Sequence, residues 1–321
     1  MKQLLILAAL LGAAGYLGSK FYLHDKVSRN LDLVLEAARP AVDVQYEGVS
    51  STLSGDLSID GITVHMAGFA DPVHIASVKL VTPGYFHLLD LASIGSGSGG
   101  ELDIPDELGI AFEGIRVATD ADFMRAVEEA RRAEYGVQEV ADPAASCVGT
   151  RGFSAGTLRQ LGYRELVIDA GVGYRQVDGK LLIDVSTDVA EMYDLSMVLT
   201  FDSMPTPQTV MMGAFQPRLV AGRLEYVDRS LEERVMKLCT EVEKLPVETV
   251  IAARVDAFQA VGSANGIEFD EYVIDPYIEF LNGKDRFVIT AEPIDPVNLL
   301  QIGLYKPSDV PALLNLRAEA I

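Results

Sequence analysis

The chain opens on its longest apolar run and only later settles into alternation. After Met1-Lys2-Gln3 the residues LLILAALLGAAGYLG lead into Ser19-Lys20-Phe21-Tyr22-Leu23. This almost uncharged span is close to the roughly 20 residues that a hydrocarbon core requires. The pattern predicts a transmembrane helix over residues 1–23. Lys20 is long enough to reach headgroups, and Tyr16, Phe21 and Tyr22 supply rings suited to an interface. Gly12, Gly15 and Gly18 would offer a small-residue face for helix contact. A cleaved signal peptide competes with this reading, because Lys2 and a short apolar region fit that too. No clear AxA-like site precedes Lys20, so an uncleaved anchor is favoured, and either reading exports the remainder of the chain. Lys20, Lys26 and Arg29 outnumber Lys2 in a count of flanking charge, so the signal-like segment, not the count, sets the orientation.

His24 to Ala38 reads as a short helix with Val27, Leu31, Leu33, Val34 and Ala37 roughly on one face, stopped by Arg39-Pro40. Beyond it the period falls to two. Val42, Val44 and Tyr46 alternate with polar residues, then Leu57 and Ile59, and then, past an Asp60-Gly61 turn, Ile62, Val64 and Met66. These are half-buried antiparallel strands. A strand at 74–81, a short helix at 85–91, a Gly/Ser loop at 95–100, a strand at 110–117 and a helix at 120–135 come next. The Gly/Ser loop lacks the Lys-Ser/Thr and the spacing of a phosphate-binding loop.

The mixed stretch 136–161, which contains Pro143 and Cys147, is the best internal boundary. The organisation expected is thus 1–23 as anchor, 24–140 as a helix and strand-rich first half, and 141–321 as a β-meander with a helical C-terminal half. Strand alternation is strongest at the start of this last part. Leu166, Ile168, Ala170, Val172 and Tyr174 lead to an Asp178-Gly179 turn; Leu181, Ile183 and Val185 return; Leu195, Met197, Leu199 and Phe201 make a third strand. Leu224 and Tyr226 continue the meander after a loop with Pro205 and Pro207. Ser230-Leu231-Glu232-Glu233 is a capping box opening a helix that carries Val235, Leu238, Cys239 and Val242. A second helix starts near Pro246 and presents Val250, Ile251, Val255 and Phe258. The tail reads as shorter elements: an acidic segment at 268–281, a strand at 287–291, and small helices around 297–302 and 313–316. The fold class predicted is α+β: an N-terminal transmembrane helix, then a long antiparallel β-sheet with packed helices.

Composition narrows the chemistry. With 47 acidic against 26 basic residues the net charge is −21, so phosphate-rich partners meet repulsion and nucleic acid is excluded as a partner. Two cysteines, Cys147 and Cys239, are too few for a disulfide framework or a four-cysteine zinc site. In an oxidising compartment they would form one disulfide; two separate buried thiols are the alternative. The four histidines are His24, His65, His74 and His87. His65 and His74 would have to recruit Asp60 or Asp71 to hold a metal, without any short ligand spacing in support. No GxSxG elbow and no SxxK site occurs, and no histidine comes after residue 87 to complete a late triad. Asp270, Glu271, Asp275 and Glu279, and Asp184 with Asp188, are carboxylates placed for cation or acid-base work, but they read first as solvated acidic surface. Neither a catalytic residue nor a cofactor or metal site is assigned. The feature that asks for a function is the apolar face of the long strands, led by Ile168, Val172, Ile183, Val185 and Leu199, which helices, a partner or a lipid must cover.

The segments VDVQYEGVSSTLSGDLSIDGITV and VHIASVKLVTP resemble the starts of inner-membrane-anchored AsmA-like and TamB-like envelope proteins. LGYRELVIDAGVGYRQVDGKLLIDVS through LVAGRLEYVDRSLEERVMKLCT is similar to membrane-anchored proteins of the DUF945 or YdgA kind. The resemblance implies a β-rich body outside the cytoplasm, concerned with envelope assembly or lipid handling. It brings no catalytic residues. Together these observations lead to the expectation of a non-enzymatic, membrane-anchored envelope protein, single-pass in a bacterial inner membrane with its body in the periplasm. A lipid or an envelope protein would occupy the apolar face. The alternatives are a structural or assembly factor binding a protein partner, and an envelope hydrolase.

Overall fold

Period-two alternation becomes antiparallel sheet in every described pairing. The computed structural model describes residues 2–39, 41–52, 54–94, 105–135, 154–203 and 216–321. Contacts divide the chain into two compact units, Met1–Gly114 and Ile115–Ile321.

The first unit starts with α1 (Lys2–Ala38), one unbroken helix of 37 residues. The strands β1 (Val42–Gln45), β2 (Gly48–Ser51), β3 (Asp56–Met66) and β4 (Val73–Val81) come after it, then α2 (Tyr85–Ile94) and the start of β5 (Glu107–Ala118). β1 and β2 pair in succession with the two halves of β3, whose other edge holds β4. The turn expected at Asp60-Gly61 is absent: both residues lie inside β3. Asp60 stands opposite Ser77 and Ile62 opposite Ile75, which puts Ala76 beside Gly61. Gly61 has φ +63 and Gly114 φ +61, and a Cβ on Gly114 would lie 2.9 Å from the Ala76 methyl. Gly61 and Gly114 thus flank Ala76 across three strands, and at both glycines the backbone adopts a conformation that L side chains resist.

The transmembrane helix expected over residues 1–23 is corrected here. Among the described residues no helix is long and apolar enough to cross a membrane. Nor does a break separate an anchor from a connecting helix at residue 23. The second half of α1 carries Asp25, Lys26, Arg29, Asp32 and Glu36, and it docks on the first unit. Leu23 is 1% exposed and clusters with Leu57, Tyr85 and Leu88, with Val27 packed against them. His24 Nε2 lies 2.9 Å from Ser51 Oγ, and Tyr46 donates to Asp32 at 2.9 Å. With no described helix long and apolar enough to cross a membrane, the readings that rested on an anchor fall with it. Those are the membrane-anchored envelope function, the inner-membrane location with a periplasmic body, and the membrane, a lipid or an envelope protein as partner. The surroundings of Gly12, Gly15 and Tyr16 lie outside what the structure describes.

The second unit takes in the end of β5, α3 (Asp122–Tyr135), α4 (Ala155–Gln160), and the meander β6 (Glu165–Val177), β7 (Lys180–Val189), β8 (Tyr193–Phe201) and β9 (Arg218–Asp228). Asp178 (φ +52) and Gly179 (φ +76) form the two-residue turn between β6 and β7, with the positive φ pair that matches strand twist. Then come α5 (Leu231–Lys237), extended by a π-helical turn at Leu238–Val242, α6 (Val247–Ala264) and α7 (Glu271–Leu281). The chain closes with β10 (Arg286–Ala291), β11 (Val297–Asn298), α8 (Val310–Leu314) and β12 (Leu316–Ala320). The sheet runs β6-β7-β8-β9-β10-β12, with β11 beside β9. It is open, not closed into a barrel, so the α+β class stands. The acidic segment at 268–281 is helical because Asp270 caps α7 by accepting from the Tyr272 amide at 3.1 Å.

Two tail assignments differ. Residues 297–302 open as a short strand, Val297–Asn298, before a 3₁₀ helix at Leu299–Leu304. Leu316 begins a final strand, released by Asn315 in the left-handed conformation at φ 47. Of the Cys147–Cys239 pair expected to bridge, Cys147 lies outside the described residues. Cys239 is 0% exposed and is not a free thiol. The Gly/Ser loop at 95–100, most of the boundary stretch 136–161 and the loop with Pro205 and Pro207 lie outside the described residues as well.

Candidate functional site

Residues directly opposite one another in antiparallel strands share a face. In the second unit the register joins Val172 to Val185, Val185 to Met197, Met197 to Leu224 and Leu224 to Ile289. The neighbouring rows carry Ile168, Val189 and Tyr193 at one end and Tyr174, Ile183, Leu199 and Ala291 at the other. All of these project from the apolar face that the sequence pattern foresaw.

Two hydrophobic clusters cover that face from opposite ends. In one, α4, α5 and the π turn bring Leu158, Leu161, Val235, Leu238 and Cys239 over Val189, with Ile168 and Tyr193 packed against them. In the other, α6, α7 and α8 bring Val273, Phe280, Leu281, Val310 and Leu314 over Leu181, Phe201 and Phe287, with Tyr174, Ile183 and Leu199 alongside. Between the clusters runs a strip that belongs to neither: Val172, Val185, Leu195, Met197 and Leu224. Val172 is 49% exposed, while the others are half-buried. The strip crosses β6 to β9, a width of about 14 Å at the usual strand spacing.

Of the five face residues expected from sequence, the structure thus separates three from two. Ile168 packs into the first cluster, and Ile183 and Leu199 into the second. Val172 and Val185 lie in the strip. Leu195, Met197 and Leu224 complete it and carry the same alternation, but sequence offers no sign of which alternating residues fall outside both clusters.

Beside the strip is a buried polar group that sequence reasoning did not single out. Tyr226 lies on β9 next to Leu224 on the same face, Glu232 in the first turn of α5, Arg254 on α6 and Tyr277 on α7. Arg254 pairs with Glu232, with side chains 14% and 16% exposed, and it also hydrogen-bonds Tyr277. Burial, reinforced by nearby Asp228, pushes the Glu232 carboxyl above its ordinary value against the pull of Arg254. Burial likewise raises the phenols of Tyr226 and Tyr277, which keeps both protonated. Rings continue the contact. Tyr226 meets Phe280 edge-on at 5.6 Å and stacks on Tyr193 at 5.5 Å, and Tyr277 stacks on Phe258 at 4.4 Å. Such a group holds three helices over β9; its carboxylate is already engaged by a guanidinium.

The capping box also departs from expectation. Ser230 makes no side-chain cap. Its hydroxyl donates to the Glu191 carbonyl at 2.5 Å and lies 2.9 Å from the Tyr163 hydroxyl. Asp228 caps α5 instead, accepting from the Glu232 amide at 3.0 Å. Burial still holds its carboxyl above the ordinary range, opposed by these backbone donors.

Several of the other candidate groups are held in place by the strands around them. His74 Nδ1 is 3.2 Å from Thr63 Oγ1, and His65 stands opposite Asp43. Asp188 and Asp194 both accept from Arg229, at 2.6 and 2.7 Å. Among the described residues no group of three His, Cys, Asp or Glu side chains is placed to hold a metal ion.

Comparison with known sequences adds one finding. A family model described only as an uncharacterized protein matches residues 182–321, less than half of the chain. The match runs from β7 to the C-terminus, and so contains Glu232, Arg254 and Tyr277 and most of the strip. No curated protein matches the chain.

Proposed function

We propose that the second unit is a non-catalytic binding module that seats an apolar segment of a protein partner on the central strip of its sheet. The observation that carries this reading is the strip itself. Aliphatic side chains from four strands lie side by side outside both hydrophobic clusters, with Val172 half in solvent. Covering such a patch is favourable by about 25 cal/mol for each Å² of apolar surface removed from water. A regular sheet fixes these side chains in place, so little ordering cost opposes binding. The groups around the strip favour contact over reaction: Glu232 is engaged by Arg254, and the Tyr226 and Tyr277 phenols stay protonated.

The test uses the full chain and the apolar dye anilinonaphthalene sulfonate. The native protein should enhance the dye's fluorescence, and Val172→Asp should remove most of that enhancement. Val247→Asp, on an equally exposed valine of α6 (45%), should leave it unchanged. Equal enhancement by all three proteins would overturn the reading.

A further inference from the structure

No further inference is drawn: the strongest candidate, the cleft of about 570 Å³ between the last turns of α1 and strand β1 lined by Asp32, Glu36, Asp43 and Tyr46, is an acidic surface cluster partly engaged by its own Tyr46–Asp32 and Arg39–Asp43 contacts, and no second observation identifies a ligand for it.

Discussion

Glu232, in the first turn of α5, and Arg254, midway along α6, form an ion pair inside the second unit, with both side chains less than one-fifth exposed. Taking two charges out of water is costly, and their mutual attraction in the interior repays this only while both are present. Glu232→Met or Arg254→Met alone should therefore lower stability by about 3–5 kcal/mol. The double variant Glu232→Met with Arg254→Met should lose much less than the sum. Urea unfolding of the four proteins in a double-mutant cycle measures the coupling, and additive losses would show that the pair is not a unit.

The same carboxyl predicts a pH dependence. Glu232 sits above its ordinary value of 4.5 because burial outweighs Arg254. The folded state therefore holds a proton that the unfolded chain releases, and stability falls as pH rises. The contribution is complete below about pH 4.5 and is lost as pH climbs through the raised folded value. The margin between the native protein and Glu232→Gln should accordingly narrow from pH 4.5 upward, read as the difference in urea midpoint. A margin that widens over that range would mean the carboxyl is held low.

Helix α5 offers a sharper local test. Asp228, not Ser230, accepts from its first-turn amides. Asp228→Ala should cost about 1–2 kcal/mol and speed hydrogen exchange at the Glu232 amide. Ser230→Ala should leave that amide protected, since its hydroxyl serves Tyr163 and Glu191. Fast exchange in the serine variant would restore the capping box.

In the first unit, Gly114→Ala places a methyl 2.9 Å from that of Ala76 at a positive φ. A loss of about 1–2 kcal/mol is expected from the backbone alone. Gly48→Ala is the control: no atom lies within 4 Å of its added methyl, and its φ is not positive. Thermal unfolding of the two variants should separate them, and equal melting temperatures would remove the special role of Gly114.

The division of the apolar face can be tested by truncation. Ile183→Ala and Leu199→Ala, inside a packed cluster, should cost about 2–4 kcal/mol. Val172→Ala, in the strip, should stay within about 0.5 kcal/mol of the native protein. A comparable loss at Val172 would mean that the strip is core and not a seat for a ligand.

Alternation over 165–201 was enough to place β6, β7, β8 and the Asp178-Gly179 turn, because a strand that buries one face must repeat every second residue. The same argument placed α6, whose apolar positions recur at helical spacing. β12 was not legible: Leu316-Arg317-Ala318-Glu319-Ala320 has the residues of a helix and becomes a strand only because β10 offers it a partner. Gly61 read as a turn for a related reason, since a glycine at positive φ looks the same in sequence whether it reverses a chain or bends a strand.

Local pattern thus determined where apolar faces form, because side-chain period depends on the backbone of one segment alone. What covers each face was a matter for the tertiary structure. The opening apolar run read as an anchor, yet the same helix continues to Ala38 and places Leu23 against Leu57, Tyr85 and Leu88, residues 34 to 65 positions away in the chain. Glu232, Arg254, Tyr226 and Tyr277 are ordinary residues where they stand in sequence. They become a buried polar group only when α5, α6 and α7 pack over β9, because desolvation and pairing depend on distances that no single segment encodes.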